Sequence, residues 1–158
     1  MAILGLQGIR GGVGTTSIAA ALGWSLQVLG ESVLVIDACP DNLLRMSFNV
    51  DYDVSDGWAR ALLDGRDWRD TAQRYTSQLD ILPFGQLTVS EMESLHTRFG
   101  TLGYFADALQ LLQEKSHYQW ILLDLPNGFS PLTRQLIEHC DHMLTIVNAD
   151  ANCHIRLH

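Results

Sequence analysis

A chain of 158 residues with 47% apolar content carries enough hydrophobic material for one sizeable core, which excludes disordered and collagen-like classes. Its formal charge of -8 speaks against a phosphate-backbone footprint, which needs Lys and Arg clustered on one face, so nucleic acid is not an expected partner. Three scattered cysteines, Cys39, Cys140 and Cys153, odd in number and without a C-x-x-C pair, suit a reducing compartment and make the cytoplasm the expected location.

The first six residues lack a basic stretch and their apolar run is soon broken. No run elsewhere is long enough to span a bilayer, so neither a signal peptide nor a transmembrane helix is expected. In chain order, apolar spacing predicts a strand at 3–6, a glycine-rich turn, a helix at 16–29 closed by Gly30, and a strand at 32–36. Helical spacing returns at 57–63 and 68–75, then a strand at 79–82 stopped by Pro83, a helix at 102–114 and a strand at 120–123. After a turn at Asn127-Gly128 come a helix at 132–139, a strand at 143–147, and a loop entering a helix over 150–158. Several strands are apolar at consecutive positions, as in strands buried on both faces, and strand alternates with helix throughout. The pattern predicts a doubly wound α/β domain, a mainly parallel sheet with helices on both faces and right-handed crossovers. No further strand follows the last helix, so residues 1–158 are expected to be the N-terminal portion of a longer single domain.

The chemistry concentrates in Ile9-Arg10-Gly11-Gly12-Val13-Gly14-Thr15-Thr16-Ser17, between the first strand and the first helix. Glycines there allow a tight turn that brings backbone N–H groups to phosphate oxygens, and the helix N-terminus adds a favourable dipole. Thr16 stands where a P-loop hydroxyl would ligate Mg²⁺. Taken alone, G-G-x-G also suits a plain strand-to-helix turn. Two distant aspartates favour the nucleotide reading: Asp37 closes the strand at 32–36 and Asp124 closes the strand at 120–123, both at the sheet edge where open α/β folds bind ligands. ATP and Mg²⁺ are the expected cofactors, with Thr16, Asp37 and Asp124 at the metal.

These residues resemble the MinD/ParA family of deviant Walker A ATPases, whose loop reads K-G-G-x-G-K-[ST]-[ST]. Asp37-Ala38-Cys39-Pro40 resembles that family's D-x-D-P, residues 118–126 its Walker B strand, and Cys140-Asp141-His142 the lead into its next strand. The wording R-G-G-V-G-T-T and V-I-D-A-C-P-D-N-L-L-R is similar to a branch that serves cellulose biosynthesis and secretion. The resemblance implies a P-loop fold, a nucleotide-gated homodimer, other cellulose-secretion components as partners, and recruitment to the inner membrane or pole that is peripheral or indirect. Complete family members run well past this length.

Three departures bear on hydrolysis. Arg10 replaces the signature lysine, which the family aims at the partner's nucleotide; arginine keeps the charge in a fork suited to phosphate. Thr15 replaces the P-loop lysine and cannot neutralise phosphate charge. Cys39 replaces the second aspartate of D-x-D-P, which the family uses to position water, and a thiol suits hard Mg²⁺ and its waters poorly. Arg10, Asp37 and Cys39 are therefore the catalytic candidates, and slow or deficient turnover is expected. Two alternatives remain open, a cycling ATPase that positions another cargo and a P-loop ligase of the dethiobiotin-synthetase kind.

Other features read more plainly. Trp58, Leu62 and Leu63 fall on a core stripe, whereas Trp68 or Arg69 could be exposed to an adaptor. His139-Cys140-x-His142 lacks a fourth ligand at metal-site spacing, and His154, His158 and Arg156 read as surface groups.

Overall fold

The computed structural model describes residues 1–99 and 104–157, leaving aside the side chains at 105 and 106. Six strands form one sheet: β1 (Ala2–Gly8), β2 (Val33–Asp37), β3 (Gln73–Arg74), β4 (Leu79–Leu82), β5 (Trp120–Leu125) and β6 (His142–Ile146). Their order is β3-β4-β2-β5-β1-β6, parallel throughout except for the short antiparallel pair β3–β4. The α-helices are α1 (Thr15–Val28), α2 (Trp58–Leu63), α3 (Val89–Phe99), α4 (Tyr104–Lys115), α5 (Pro131–Glu138) and α6 (Ala151–Leu157).

The consecutive apolar runs of the strands divide between two cores, because successive side chains point to opposite faces. Leu4, Leu6, Val33, Val35 and Leu122 pack with Ala19 and Ala20 of α1. Ile3, Leu34, Ile36, Ile121 and Leu123 pack on the other face with α2, α4 and α5. The expected architecture of a mainly parallel sheet with helices on both faces is what the chain adopts. Trp58 and Leu62 lie in the core, as their spacing predicts, with Leu63 packed against it.

Two segments depart from expectation. Helical spacing at 68–75 gives only a 3₁₀ turn, Trp68–Thr71, after which Gln73 and Arg74 pair with Ile81 and Asp80. Pairing with the edge of the buried strand β4 there overrides local propensity. Trp68 itself is buried in the core, so it presents no adaptor surface; Arg69 is exposed and pairs with Asp67 at 2.5 Å. The expected helix at 102–114 corresponds to α4, and its first two expected residues lie outside the described residues. Helix α3 was not foreseen, although its start carries a capping box. The Glu91 carboxylate accepts from the Thr88 N–H at 2.8 Å, and the Thr88 hydroxyl accepts from the Glu91 N–H at 3.3 Å.

Among the described residues no helix is long and apolar enough to cross a membrane.

Candidate nucleotide and metal site

Sheet order places the glycine loop at the C-terminal end of β1, next to the edge strand β6. β1 lies between β5 and β6, so the loop that follows Gly8 emerges beside the end of β5. In the register, Asp37 of β2 lies opposite Asp124 of β5, and Leu6 of β1 lies opposite the same Asp124. Two carboxylates far apart in sequence therefore meet at one level beneath the loop.

Gly12 and Gly14 adopt φ 75 and 90, and a Cβ at either would meet nothing within 4 Å, so conformation rather than crowding demands glycine there. Gly14 is also the N-cap of α1 and supplies no side-chain hydrogen bond. The first-turn N–H groups of Thr15, Thr16 and Ser17 thus have no capping side chain, the arrangement that receives an anion at a helix N-terminus. Gly8 is required for a different reason: a Cβ would stand 2.7 Å from the Thr15 hydroxyl and 2.8 Å from the Arg10 carbonyl, where the loop folds back on its strand.

The loop is fastened from both sides. Ile9 donates its N–H to the Ile146 carbonyl of β6 at 3.1 Å. On the β5 side the Asn127 carboxamide donates to the carbonyls of Gly8 and Arg10 at 3.0 and 3.2 Å and accepts from the Gly11 N–H at 3.0 Å. Gln7 in turn donates to the carbonyls of Pro126 and Gly128 at 2.9 and 2.8 Å. Asn127 was legible in the sequence only as a turn residue; its position just past the β5 aspartate is the one signal that could have marked it.

Arg10 does not project freely. Its guanidinium donates to Asp150 at 2.6 Å and to the Gly11 carbonyl at 3.1 Å. Asp150 also caps α6 by accepting the Cys153 N–H at 2.8 Å. That N–H, and then Arg10, hold the Asp150 carboxyl below the usual carboxylate range. The Asp150 partnership raises Arg10 in the same way. Asp150, which sequence reasoning passed over, thus ties the loop to α6.

At the base of the site, Asp37 and Asp124 are fully buried. One Asp37 oxygen accepts the Cys39 N–H at 2.9 Å and the other the Leu44 N–H at 3.1 Å, while the Trp58 indole donates to the Asp37 carbonyl at 2.7 Å. Burial pushes the Asp37 carboxyl up to about 7, opposed by the Cys39 N–H and reinforced by the nearby Asp124. Neither Asp124 oxygen has a hydrogen-bond partner. Burial lifts its carboxyl to about 6, with the Thr16 hydroxyl near enough to favour the charged form. A buried carboxylate with both oxygens orphaned is costly unless a cation or its water shell completes it, so Asp124, with Thr16 beside it, fits a bound divalent ion. Cys39 is half-buried, directs its thiol at the Asp124 carbonyl at 3.5 Å, and is driven above the usual thiol range by burial and then by the aspartates around it.

The sequence profile described as "Cellulose biosynthesis protein BcsQ" matches residues 1–158. The chain belongs to the BcsQ family. It is 68% identical to "Cellulose biosynthesis protein BcsQ" of Salmonella typhimurium strain LT2 over 158 residues, which is 100% of this chain and 63% of that protein. The chain thus spans less than two thirds of the length of the curated relatives it matches. Among solved structures, the septum site-determining protein MinD of Pyrococcus horikoshii complexed with Mg-ADP superposes with a TM-score of 0.75 at 22% identity, covering 98% of this chain and 61% of the other. Cobyrinic acid a,c-diamide synthase of Mycobacterium smegmatis, with bound ATP analogue and magnesium, gives 0.79 at 20% identity, covering 99% and 66%. These two likenesses establish the P-loop fold shared by MinD/ParA proteins, as the glycine loop and Walker B resemblance implied.

The remaining candidates do not join the site. His139 pairs its Nδ1 with the Gln135 carbonyl at 2.7 Å at the end of α5, and His142 starts the edge strand β6. Arg156 is exposed on α6, and His158 lies outside the described residues.

Proposed function

We propose that this chain binds ATP with Mg²⁺ through residues 9–17, and that nucleotide binding gates a homodimer serving as a platform for the cellulose synthesis and secretion machinery. The observation that carries the reading is the strand register that sets Asp37 opposite Asp124 beneath an uncapped, glycine-rich helix start. Backbone N–H groups from Gly12 to Ser17 receive the phosphates, with the helix dipole behind them. Thr16, Asp37 and Asp124 hold Mg²⁺ or its water shell, and the ion supplies charge neutralisation at the β- and γ-phosphates. Arg10 acts across the dimer once it leaves Asp150. Cellulose enters through family membership alone. Recruitment to the inner membrane belongs to the same proposal and is peripheral or indirect.

Turnover is slow in this reading. Thr15 offers one hydrogen bond where a lysine would neutralise charge, a difference of up to about 4 kcal/mol for a pair 4 Å apart at an effective dielectric of 20. Cys39, largely a neutral thiol, is a weak acceptor for an attacking water. Calorimetry of the full chain with Mg²⁺-ATP tests binding, and light scattering with a non-hydrolysable analogue tests the dimer. Absence of nucleotide uptake at millimolar ligand overturns the proposal. Phosphate release at about 1 s⁻¹ or faster, the low end of ordinary enzymes, overturns the claim of slow turnover. The variant Thr15→Lys should tighten ATP binding; unchanged or abolished binding shows that Thr15 does not occupy the P-loop lysine position.

A further inference from the structure

One donor atom from each of Asp37, Cys39 and Asp124 lies within 4.8 Å of the other two. Asp124 is fully buried with both oxygens unpartnered. Each Asp37 oxygen accepts one N–H and keeps a lone pair for a ligand. The Cys39 thiol makes only a long 3.5 Å contact with a carbonyl, which a small side-chain rotation would release. Among the described residues, no Lys or Arg pairs with either aspartate. The two aspartates are fully buried and, among the described residues, have no ion-paired counter-charge.

We infer that Asp37, Cys39 and Asp124 form a site for a thiophilic divalent ion of the Zn²⁺ type, which Cys39 ligates directly. Mg²⁺ demands six hard donors in near-octahedral geometry and keeps its waters, so a sulfur at this point lowers the site's preference for it. Zn²⁺ accepts sulfur at about 2.3 Å and carboxylate oxygen at about 2.0–2.2 Å, and three protein ligands with one position left open is a common tetrahedral arrangement. An ion held by these three residues would keep one position for water or a phosphate oxygen. Binding expels the thiol proton to solvent, because a coordinated thiol is deprotonated by the ion's charge. The inference shares its aspartates with the proposed Mg²⁺-nucleotide site but does not require nucleotide.

Co²⁺ serves as the optical probe. Titrating it into the reduced full chain without nucleotide should produce a thiolate-to-cobalt charge-transfer band in the near ultraviolet that saturates at one equivalent. The band should disappear in Cys39→Ser, with Co²⁺ affinity falling by more than the roughly 10- to 100-fold that loss of a supporting outer-shell partner costs. It should persist in Cys140→Ser, whose thiol lies outside the cluster. In Cys39→Asp, Co²⁺ should bind without the band and be displaced by Mg²⁺ far more readily than from the native chain. No band, a band unchanged in Cys39→Ser, or equal Mg²⁺ competition in native and Cys39→Asp chains overturns the inference. Separate calorimetry with Mg²⁺-ADP reads the nucleotide proposal, so the two can fail independently.

Discussion

Raising the pH from about 5.5 to 8 should destabilise the nucleotide-free, metal-free chain. Burial lifts Asp37 from its usual 3.8 to about 7 and Asp124 to about 6. Because both folded values lie above the unfolded ones, the folded chain binds more protons through this window and stability is lost as pH rises, with no recovery above it. The paired acids Asp56, Asp64, Asp67, Glu91 and Asp150 have lowered values, so their stabilisation is already complete at the acid end of the window. At about 1.4 kcal/mol per pH unit, Asp37 loses on the order of 2 kcal/mol between pH 5.5 and 7, with a smaller share from Asp124. For a chain of 158 residues that corresponds to a fall in melting temperature of roughly 5–10 °C. Thermal melts in EDTA across the window provide the assay. The variant Asp124→Asn should flatten the profile by removing one buried charge and its repulsion on Asp37. Saturating Mg²⁺-ADP should flatten it too, because a bound cation favours the ionised carboxylates. A native melting temperature that stays level or rises from pH 5.5 to 8 refutes the reasoning.

The variant Asp150→Ala removes the α6 cap, costing about 1 kcal/mol in melts, and frees Arg10; nucleotide-dependent dimer should increase in light scattering, and an unchanged dimer fraction shows that the cis pair does not compete with a trans contact. Asn127→Ala strips three hydrogen bonds from the loop backbone and should weaken nucleotide binding about tenfold by calorimetry while leaving far-ultraviolet dichroism unchanged. Gly14→Ala places a side chain at φ 90, costing about 1–2 kcal/mol, and should lower both melting temperature and nucleotide affinity.

Much of the fold was legible because strands buried on both faces write themselves as uninterrupted apolar runs, and five of the six strands follow those runs. The sixth, Gln73–Arg74, is two residues long and owes its existence to the edge of β4, which no local pattern encodes. The site was legible where chemistry sits in contiguous residues, as in the loop from Arg10 to Ser17. Register was not: nothing in the spacing between Asp37 and Asp124 says that they lie opposite one another. The same blindness hid Asn127 and Asp150, whose roles come from contacts across 116 residues or more. Trp68 misled because helical spacing cannot distinguish a stripe facing solvent from a short turn folded onto the core.

The loop lacks the lysine that would accompany phosphate, and two buried carboxylates stand at its base with, among the described residues, no ion-paired Lys or Arg. Arg10, the cation of the loop itself, is held by Asp150. Positive charge must then arrive as a metal ion, alone or with the nucleotide, or from a second protomer. Nucleotide uptake by this chain should consequently depend on divalent metal more steeply than uptake by a loop that carries its own lysine. Calorimetry with ATP, with and without EDTA, in the native chain and in Thr15→Lys measures the difference directly. Metal removal should cost the native chain at least about tenfold more affinity than the lysine variant, since a pair at 4 Å supplies up to about 4 kcal/mol at an effective dielectric of 20. If EDTA lowers both affinities by the same factor, the metal does not replace the lost charge and the reasoning fails.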